Sequence, residues 1–409
     1  MRIVVANSFH YRRGGDSNHF LDLIAGLERR GHDVAVFSMQ HPQNLPSRWS
    51  EYWVPYVEYR GELSMVDRLR AGWRSVHSPE SGRNMTRLLA DFEPDVVHFH
   101  GVHHHLTLGA VEACLSARFP VVWTLHDYRT VCPATSMLRA AEVCERCAGG
   151  RFWHGVAGRC RSGEVTRSLA GVVESYATRL RGTLARVDCY VAPSRFLARK
   201  VVEMGLPARR METVPNPVYG EAAPVDAGDR RGLLYVGRLS VEKGVDCLIG
   251  AVAGLENAPL CVVGEGPEVE RLRALADSLD ADVSFEGWAD ATGVRARMGE
   301  AELLCVPSVW YENCPGVVLE AVMAGLPVVA SDIGGLTELL EGGQAGWLAP
   351  VGDPAAWRRV ISEALGDKAR TARQATLALA RVQVRHNPER FVQRIEDIYR
   401  SLQTSARGS

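Results

Sequence analysis

Apolar residues recur along the chain in short runs separated by longer amphipathic stretches. One series comprises Ile3–Ala6, Val34–Phe37, Val96–Phe99, Val121–Leu125 and Tyr190–Ala192. A second begins near Leu233 with Leu233–Val236, then Leu260–Val263, Val283–Phe285, Leu303–Val306 and Val328–Ala330. Short, wholly apolar runs of this kind suit strands buried on both faces. Between them, Ser17–Arg30, Leu106–Ala117 and Glu164–Leu184 carry apolar residues at helical spacing. Strands alternating with helices predict parallel sheets covered on both sides. The expected fold is therefore α/β, with two doubly wound, Rossmann-like domains facing across a cleft that the strand carboxyl ends line. PNPVYG, Pro215–Gly220, and the Ala-, Gly- and Asp-rich stretch up to Arg231 read as the linker. The expected domains are residues 1–215 and 216–386, followed by a helix within 387–409. In that helix Phe391, Ile395 and Tyr399 share one stripe.

A chain of 409 residues suits two such domains of about 200 residues each. A net charge of −1 leaves no general nucleic-acid footprint. No apolar run reaches the ~18 residues of a membrane span. The opening MRIVVANSF reads as a strand, not a secretory leader. A cytoplasmic location follows as the expectation, and ten cysteines in a reducing compartment are not a disulfide framework. Nine basic residues against three acidic ones between Arg167 and Arg210 form a solvated helix face, or a surface for peripheral membrane contact or a phosphate-bearing acceptor.

The most informative segment is PSVWYENCPGVVLEAVMAGLPVVAS, Pro307–Ser331. It reads strand, loop, helix, strand. Pro315 suits the first helical position, where its missing N–H costs nothing; the helix runs from Val317 to Ala324, and Gly325 closes it. Free N–H groups around Asn313, Cys314, Pro315, Gly316, Val317 and Val318 then face a site for an anion. Glu312 stands before that site and Glu320 two helical turns on. Phosphate on the amides with a polyol on each carboxylate describes a nucleotide-sugar. Upstream, a strand stops at Gly237 and is followed by Arg238, a helix-capping Ser240 and Lys243. Lys243 is one of only three lysines among 47 basic residues. An Arg and a Lys on one diphosphate would neutralise a leaving group as its charge develops.

Gly237-Arg238-Leu239 with Lys243-Gly244, then Gly264-Glu265-Gly266-Pro267, Glu286-Gly287-Trp288 and the Glu312/Glu320 pair resemble the retaining nucleotide-sugar glycosyltransferases of family four, which have the GT-B fold. RRGGDSNHFLDLIAGLERRGHDVAVFS, VVHFHG and TLHDY extend the resemblance to nearly the whole chain. The resemblance implies a retaining glycosyltransferase that moves a hexosyl or N-acetylhexosaminyl group from a nucleoside diphosphate sugar. The acceptor would be a saccharide, a lipid-linked sugar or a natural-product aglycone. It implies that Arg238 and Lys243 clamp the diphosphate, Glu320 binds the ribose and Glu312 the sugar. The turns Gly264–Pro267 and Glu286–Trp288 would border the base, and the last helix would cross back to the first domain. His126, at the exit of the strand Val121–Leu125, would hydrogen-bond the transferred sugar rather than act as a base. The family needs no catalytic Mg²⁺. The turn at Gly14 and Gly15 can bring backbone amides close to a phosphate, and in the family it reaches donor diphosphate or acceptor. Two rivals are weighed. A Rossmann oxidoreductase would show G-x-G-x-x-G, which is absent. A silent sugar-binding scaffold of the same fold is opposed by Arg238, Lys243, Glu312 and Glu320.

Two further clusters stand out. His98, His100, His103, His104 and His105 crowd one strand end without a local Asp or Cys, and read as a polar, acceptor-facing surface rather than a metal site. Cys132, Cys144, Cys147 and Cys160 have the spacing C-x11-C-x2-C-x12-C, directly after HDY. A C-x2-C core with two outlying cysteines fits a tetrahedral thiolate site for structural zinc, or alternatively an iron–sulfur cluster. The insertion 132–160 has little periodic structure of its own. Cys314 reads as a small buried apolar residue.

Overall fold

A computed structural model describes residues 1–56, 78–103, 105–225 and 230–407. The chain divides into two compact units: residues 1–137, 144–215 and 388–409, and residues 138–143 with 216–387. Part of the predicted linker, 226–229, and His104 lie outside the described residues.

The first unit is built on six parallel strands: β1 (Arg2–Ala6), β2 (Asp33–Phe37), β3 (Val96–Phe99), β4 (Val121–Thr124), β7 (Cys189–Ala192) and β8 (Met211–Thr213), in the order β2-β1-β3-β4-β7-β8. β5 (Leu138–Arg139) and β6 (Glu142–Val143) form a separate antiparallel hairpin. The second unit has β9 (Leu233–Val236), β10 (Leu260–Val263), β11 (Val283–Gly287), β12 (Leu303–Val306), β13 (Val328–Ser331) and β14 (Trp347–Ala349), in the order β11-β10-β9-β12-β13-β14. Every pairing within these two sheets is parallel. In the second sheet the chain proceeds outward from β9 to β11, then restarts on the other side at β12. β9 and β12 therefore flank a topological switch point, and the loops after them frame a ligand crevice.

Each sheet has one strand more than the apolar runs indicate. Met211–Thr213 and Trp347–Ala349 are edge strands of three residues. Met-Glu-Thr is half-buried throughout and presents no apolar run. The long helix expected over Glu164–Leu184 is two, Val165–Leu180 and Thr183–Arg186, because Gly182 between them is left-handed (φ 66°). Pro315 precedes its helix as the capping residue instead of opening it, and the helix is Gly316–Met323.

The helix Pro388–Arg407 belongs to the first unit. Its Phe391, Val392, Ile395, Ile398 and Tyr399 share a core with Phe20, Leu23, Ile24 and Leu27 of the helix Gly15–Arg29. A side chain at Gly26 would overlap Val392, so the glycine permits this approach. Glu396, almost fully buried, receives Arg30 at 2.7 Å and His32 at 2.6 Å. Burial alone would raise its pKa, but the hydrogen bonds from Arg30 and His32 outweigh that and lower it. Among the described residues no helix is long and apolar enough to cross a membrane.

Candidate active site

In the second unit the loops after β9, β10 and β11 are tied together through the backbone. Gly237 N–H donates to Val263 O (3.0 Å), Leu239 N–H to Glu265 O (2.9 Å), Glu268 N–H to Leu239 O (3.1 Å) and Gly264 N–H to Gly287 O (2.7 Å). The buried Tyr235 hydroxyl donates to Arg238 O at 2.9 Å. The approach is so close that a Cβ at Gly264 would overlap Gly237 O, and one at Gly266 would overlap Leu239 O. These glycines are therefore required by loop packing, whatever they do for a ligand. Arg238 is exposed and makes no ion pair among the described residues. Pro267 is exposed, and Trp288 is 72% exposed on the neighbouring loop.

Ser240 does not cap an α-helix. It leads into a 3-10 turn, Val241–Lys243, and its hydroxyl bonds Glu242. The turn ends at Gly244 (φ 63°), where a side chain would overlap Pro307 O. Lys243 is thereby brought against the loop after β12. Its Nζ lies 2.6 Å from Oε1 of Glu312 and 5.2 Å from the Trp310 ring centroid. Ser308 donates to the same Oε1 at 2.8 Å. Glu312 is 6% exposed, and its carbonyl receives Gly335 N–H at 2.6 Å. A side chain at Gly335 would overlap Asn313 O. Trp310 and Gly335 were not legible as site residues, since each meets a partner distant in sequence, and Ser308 was missed although it lies only four residues from Glu312.

No side chain caps the helix Gly316–Met323, so its first N–H groups remain available to an anion. Gly316 is exposed, and Asn313, Cys314, Pro315 and Val317 are half-buried. The Cys314 thiol is pushed up to about 12 by burial and stays protonated. Glu320 is exposed on the helix, and its carboxylate lies about one carbon contact (3.8 Å) from where a Cβ at Gly316 would stand. The protein around it still raises its pKa by desolvation, with Arg295 opposing.

In the first unit, Gly14 and Gly15 open the helix Gly15–Arg29 without a side-chain cap. A Cβ at Gly15 would meet nothing within 4 Å, so packing does not explain the glycine. His126 is half-buried beyond β4, and its Nε2 lies 3.0 Å from Nδ1 of His100. His19, which the sequence did not single out, joins them: one nitrogen from each of His19, His100 and His126 lies within 4.8 Å of the others. Burial lowers the pKa of all three, and Asp16 and Asp127 oppose the shift at His126. His98 is corrected from a surface residue to a core one. It is fully buried between Tyr399 and Thr124.

In the insertion, Cys132 and Cys147 are buried and Cys144 and Cys160 half-buried. Burial, then the thiols of Cys132, Cys144 and Cys160, push Cys147 to about 12. Burial raises the Cys132 pKa, opposed in part by the backbone of Met137, Ala134 and Thr135. The four sulfurs are neighbours, but among the described residues the grouping at mutual ligand spacing is the histidine one.

Comparison with known proteins matches the family model Glycosyltransferase Family 4 to residues 13–219, and Glycosyl transferases group 1 to residues 230–367. The chain is a family 4 glycosyltransferase. A phosphatidyl-myo-inositol mannosyltransferase of Mycobacterium leprae is 28% identical over 356 residues, covering 84% of this chain and 81% of the relative. Sucrose-phosphate synthase from Thermosynechococcus elongatus superposes with TM-score 0.71 at 20% identity, over 99% of each chain. HepE of Anabaena, solved with UDP-glucose, gives TM-score 0.65 at 19% identity, over 98% of this chain and 100% of that one. The fold is thus of the GT-B kind, two Rossmann-like domains. Within this glycosyltransferase, Arg238, Lys243, Glu312 and Glu320 fall in the stretch matched at 230–367, and Gly14, Gly15 and His126 in that matched at 13–219.

Proposed function

We propose that the enzyme is a retaining transferase that takes a hexosyl or N-acetylhexosaminyl group from a nucleoside diphosphate sugar. The observation that carries this reading is the meeting of Lys243 and Glu312 at 2.6 Å, from the two loops that flank the second sheet's switch point. One ammonium has three donors. Lys243 can therefore hold Glu312 and still donate to a diphosphate, beside the exposed Arg238. Lys243 and Ser308 both bond Oε1 of the Glu312 carboxylate, and Oε2 serves a sugar hydroxyl. Glu320 accepts from the ribose, amide N–H groups of Asn313, Cys314, Gly316 and Val317 meet the phosphates beside Pro315, and Gly264, Gly266, Pro267 and Trp288 border the base. The open turn at Gly14–Gly15 admits phosphate or acceptor, and His126 hydrogen-bonds the transferred sugar. With a cationic clamp and helix amides on the leaving group, no Mg²⁺ is required. The structure of HepE with UDP-glucose supports a nucleoside diphosphate donor. The acceptor is hydroxylated: a saccharide, a lipid-linked sugar at the inner membrane face, or an aglycone in the cytoplasm.

A screen of common nucleotide-sugars, read by mass spectrometry for hydrolysis or transfer, identifies base and sugar together; silence toward all of them would favour the scaffold reading. NMR of the product is expected to give the anomeric configuration of the donor. An inverted linkage would remove the retaining mechanism.

For the cysteine insertion we propose a structural zinc on Cys132, Cys144, Cys147 and Cys160, with an iron–sulfur cluster as the alternative. The donor set fits. Burial raises the Cys132 pKa, but neighbouring backbone groups oppose the rise and Arg161 puts a positive charge beside it, which would favour thiolate once a metal replaces the proton. The segment also contains Thr135, Met137, Ala140, Ala141 and Arg159 at positive φ, five of the twelve non-glycine positions of that kind among the described residues. Such backbone persists only where something over-determines it, and a zinc ion drawing the sulfurs to tetrahedral spacing would do so. About one tightly held zinc per chain is expected by ICP-MS, falling in each Cys→Ser variant while both units stay folded. Four freely titratable thiols and no stoichiometric metal would reject the site.

A further inference from the structure

The first unit contains a row of imidazoles whose hydrogen bonds decide where protons sit. His98 is saturated: Nδ1 pairs with Tyr399 Oη at 2.6 Å and Nε2 with Thr124 Oγ1 at 2.7 Å. His100 stacks on it at 4.4 Å between centroids and is 1% exposed. Its Nδ1 faces Nε2 of His126 at 3.0 Å, and its Nε2 is buried without a partner.

One proton lies between His100 and His126, and a neutral imidazole carries only one N–H. If His126 supplied that proton, His100 would carry its own on Nε2, leaving a buried N–H with no acceptor. If His100 supplies it from Nδ1, the orphan is a lone pair. A buried unpaired N–H is the rarer and costlier of the two. Burial keeps His19, His98, His100 and His126 from taking up a second proton, with His98 and His19 disfavouring charge on His100 and Asp16 and Asp127 opposing the shift at His126.

We propose that His100 is a positioning residue that donates from Nδ1 to Nε2 of His126 and so places the His126 proton on Nδ1. His126 then offers the substrate an N–H donor, not a base. This rests on the reading that His126 touches the transferred sugar. On that arrangement the imidazole has no lone pair turned to the acceptor and would not abstract its proton. A metal held by His19, His100 and His126 is the competing arrangement. It would need the facing nitrogens of His100 and His126, 3.0 Å apart, to share one ion with His19, and the metal measurement below decides between the two arrangements.

The test is the histidine tautomer in full-length, ¹⁵N-histidine-labelled enzyme, assigned with His100 and His126 variants. A pyridine-type Nε2 and pyrrole-type Nδ1 at His126 are expected. A pyrrole-type Nε2 overturns the proposal, as does a tightly held equivalent of zinc that is lost in His100→Phe. In turnover, His100→Phe should lower kcat by about tenfold or more with donor KM little changed. His100→Gln, whose amide can still donate, should recover most of the loss. Its acid limb should also stay near wild type, while in the Phe variant that limb moves to higher pH, because Nε2 without its donor is easier to protonate. Equal losses and equal pH profiles in both variants overturn the donor role. Because the tautomer is read on resting enzyme, it is independent of whether His126 contacts the sugar, which turnover of His126→Ala decides.

Discussion

Turnover falls by about a hundredfold or more when either Arg238 or Lys243 is replaced by alanine, the size typical of losing a transition-state charge partner. The two variants should differ in stability. Arg238 is exposed and unpaired among the described residues, so its removal leaves the melting temperature near wild type, within about 0.5 kcal/mol. Lys243 neutralises a nearly buried Glu312, whose remaining partner is Ser308. Lys243→Ala leaves that carboxylate uncompensated and should melt earlier. Adding Glu312→Gln should restore stability but not activity. A combined result, in which both single variants turn over within about threefold of wild type, removes the diphosphate clamp and with it the proposed leaving-group chemistry.

Gly264→Ala and Gly266→Ala are expected to damage both stability and activity. The added methyl group runs into a backbone oxygen, Gly237 O or Leu239 O, not into a side chain that can swing away. The β9 loop must shift, at a cost of roughly 1–3 kcal/mol. Arg238 moves with it, so donor-dependent turnover should drop by about tenfold or more, a 1 Å misplacement being enough for such losses. Gly15→Ala is the informative contrast. No protein atom opposes that methyl group, and alanine favours a helix by about 1 kcal/mol over glycine. The variant should fold at least as well as wild type. If phosphate or acceptor approaches the Gly15 amide, its activity nonetheless falls. Thermal melts alongside initial rates separate the cases. Wild-type rates and melting in Gly264→Ala and Gly266→Ala would mean that the loops do not pack as described.

The strands were legible where a wholly apolar run lay inside the sheet. They were missed at Met211–Thr213 and Trp347–Ala349, short edge strands whose identity comes from a neighbour's free backbone edge. The helix break at Gly182 was hidden because the apolar spacing continues through it. His98 was misplaced for a related reason. A histidine next to a strand end looks polar in sequence, and its partners Thr124 and Tyr399, 26 and 301 positions away, make it a core residue.

The amino-acid sequence by itself determined two alternating β/α series, the strand ends where ligands bind and the order of loop motifs that follow them. These depend on local period and turn chemistry, which lie within a few neighbouring residues. Only the tertiary structure decided which motifs meet. Lys243 reaches Glu312 across 69 positions because β9 and β12 are neighbours in the sheet, although β10 and β11 intervene in the chain. The glycines of the β10 loop proved to be demanded by the β9 backbone, and His19, His100 and His126 were gathered from three separate elements. Strand order sets these encounters. Alternating hydrophobicity is the same for every order, so it carries no information about which one is adopted.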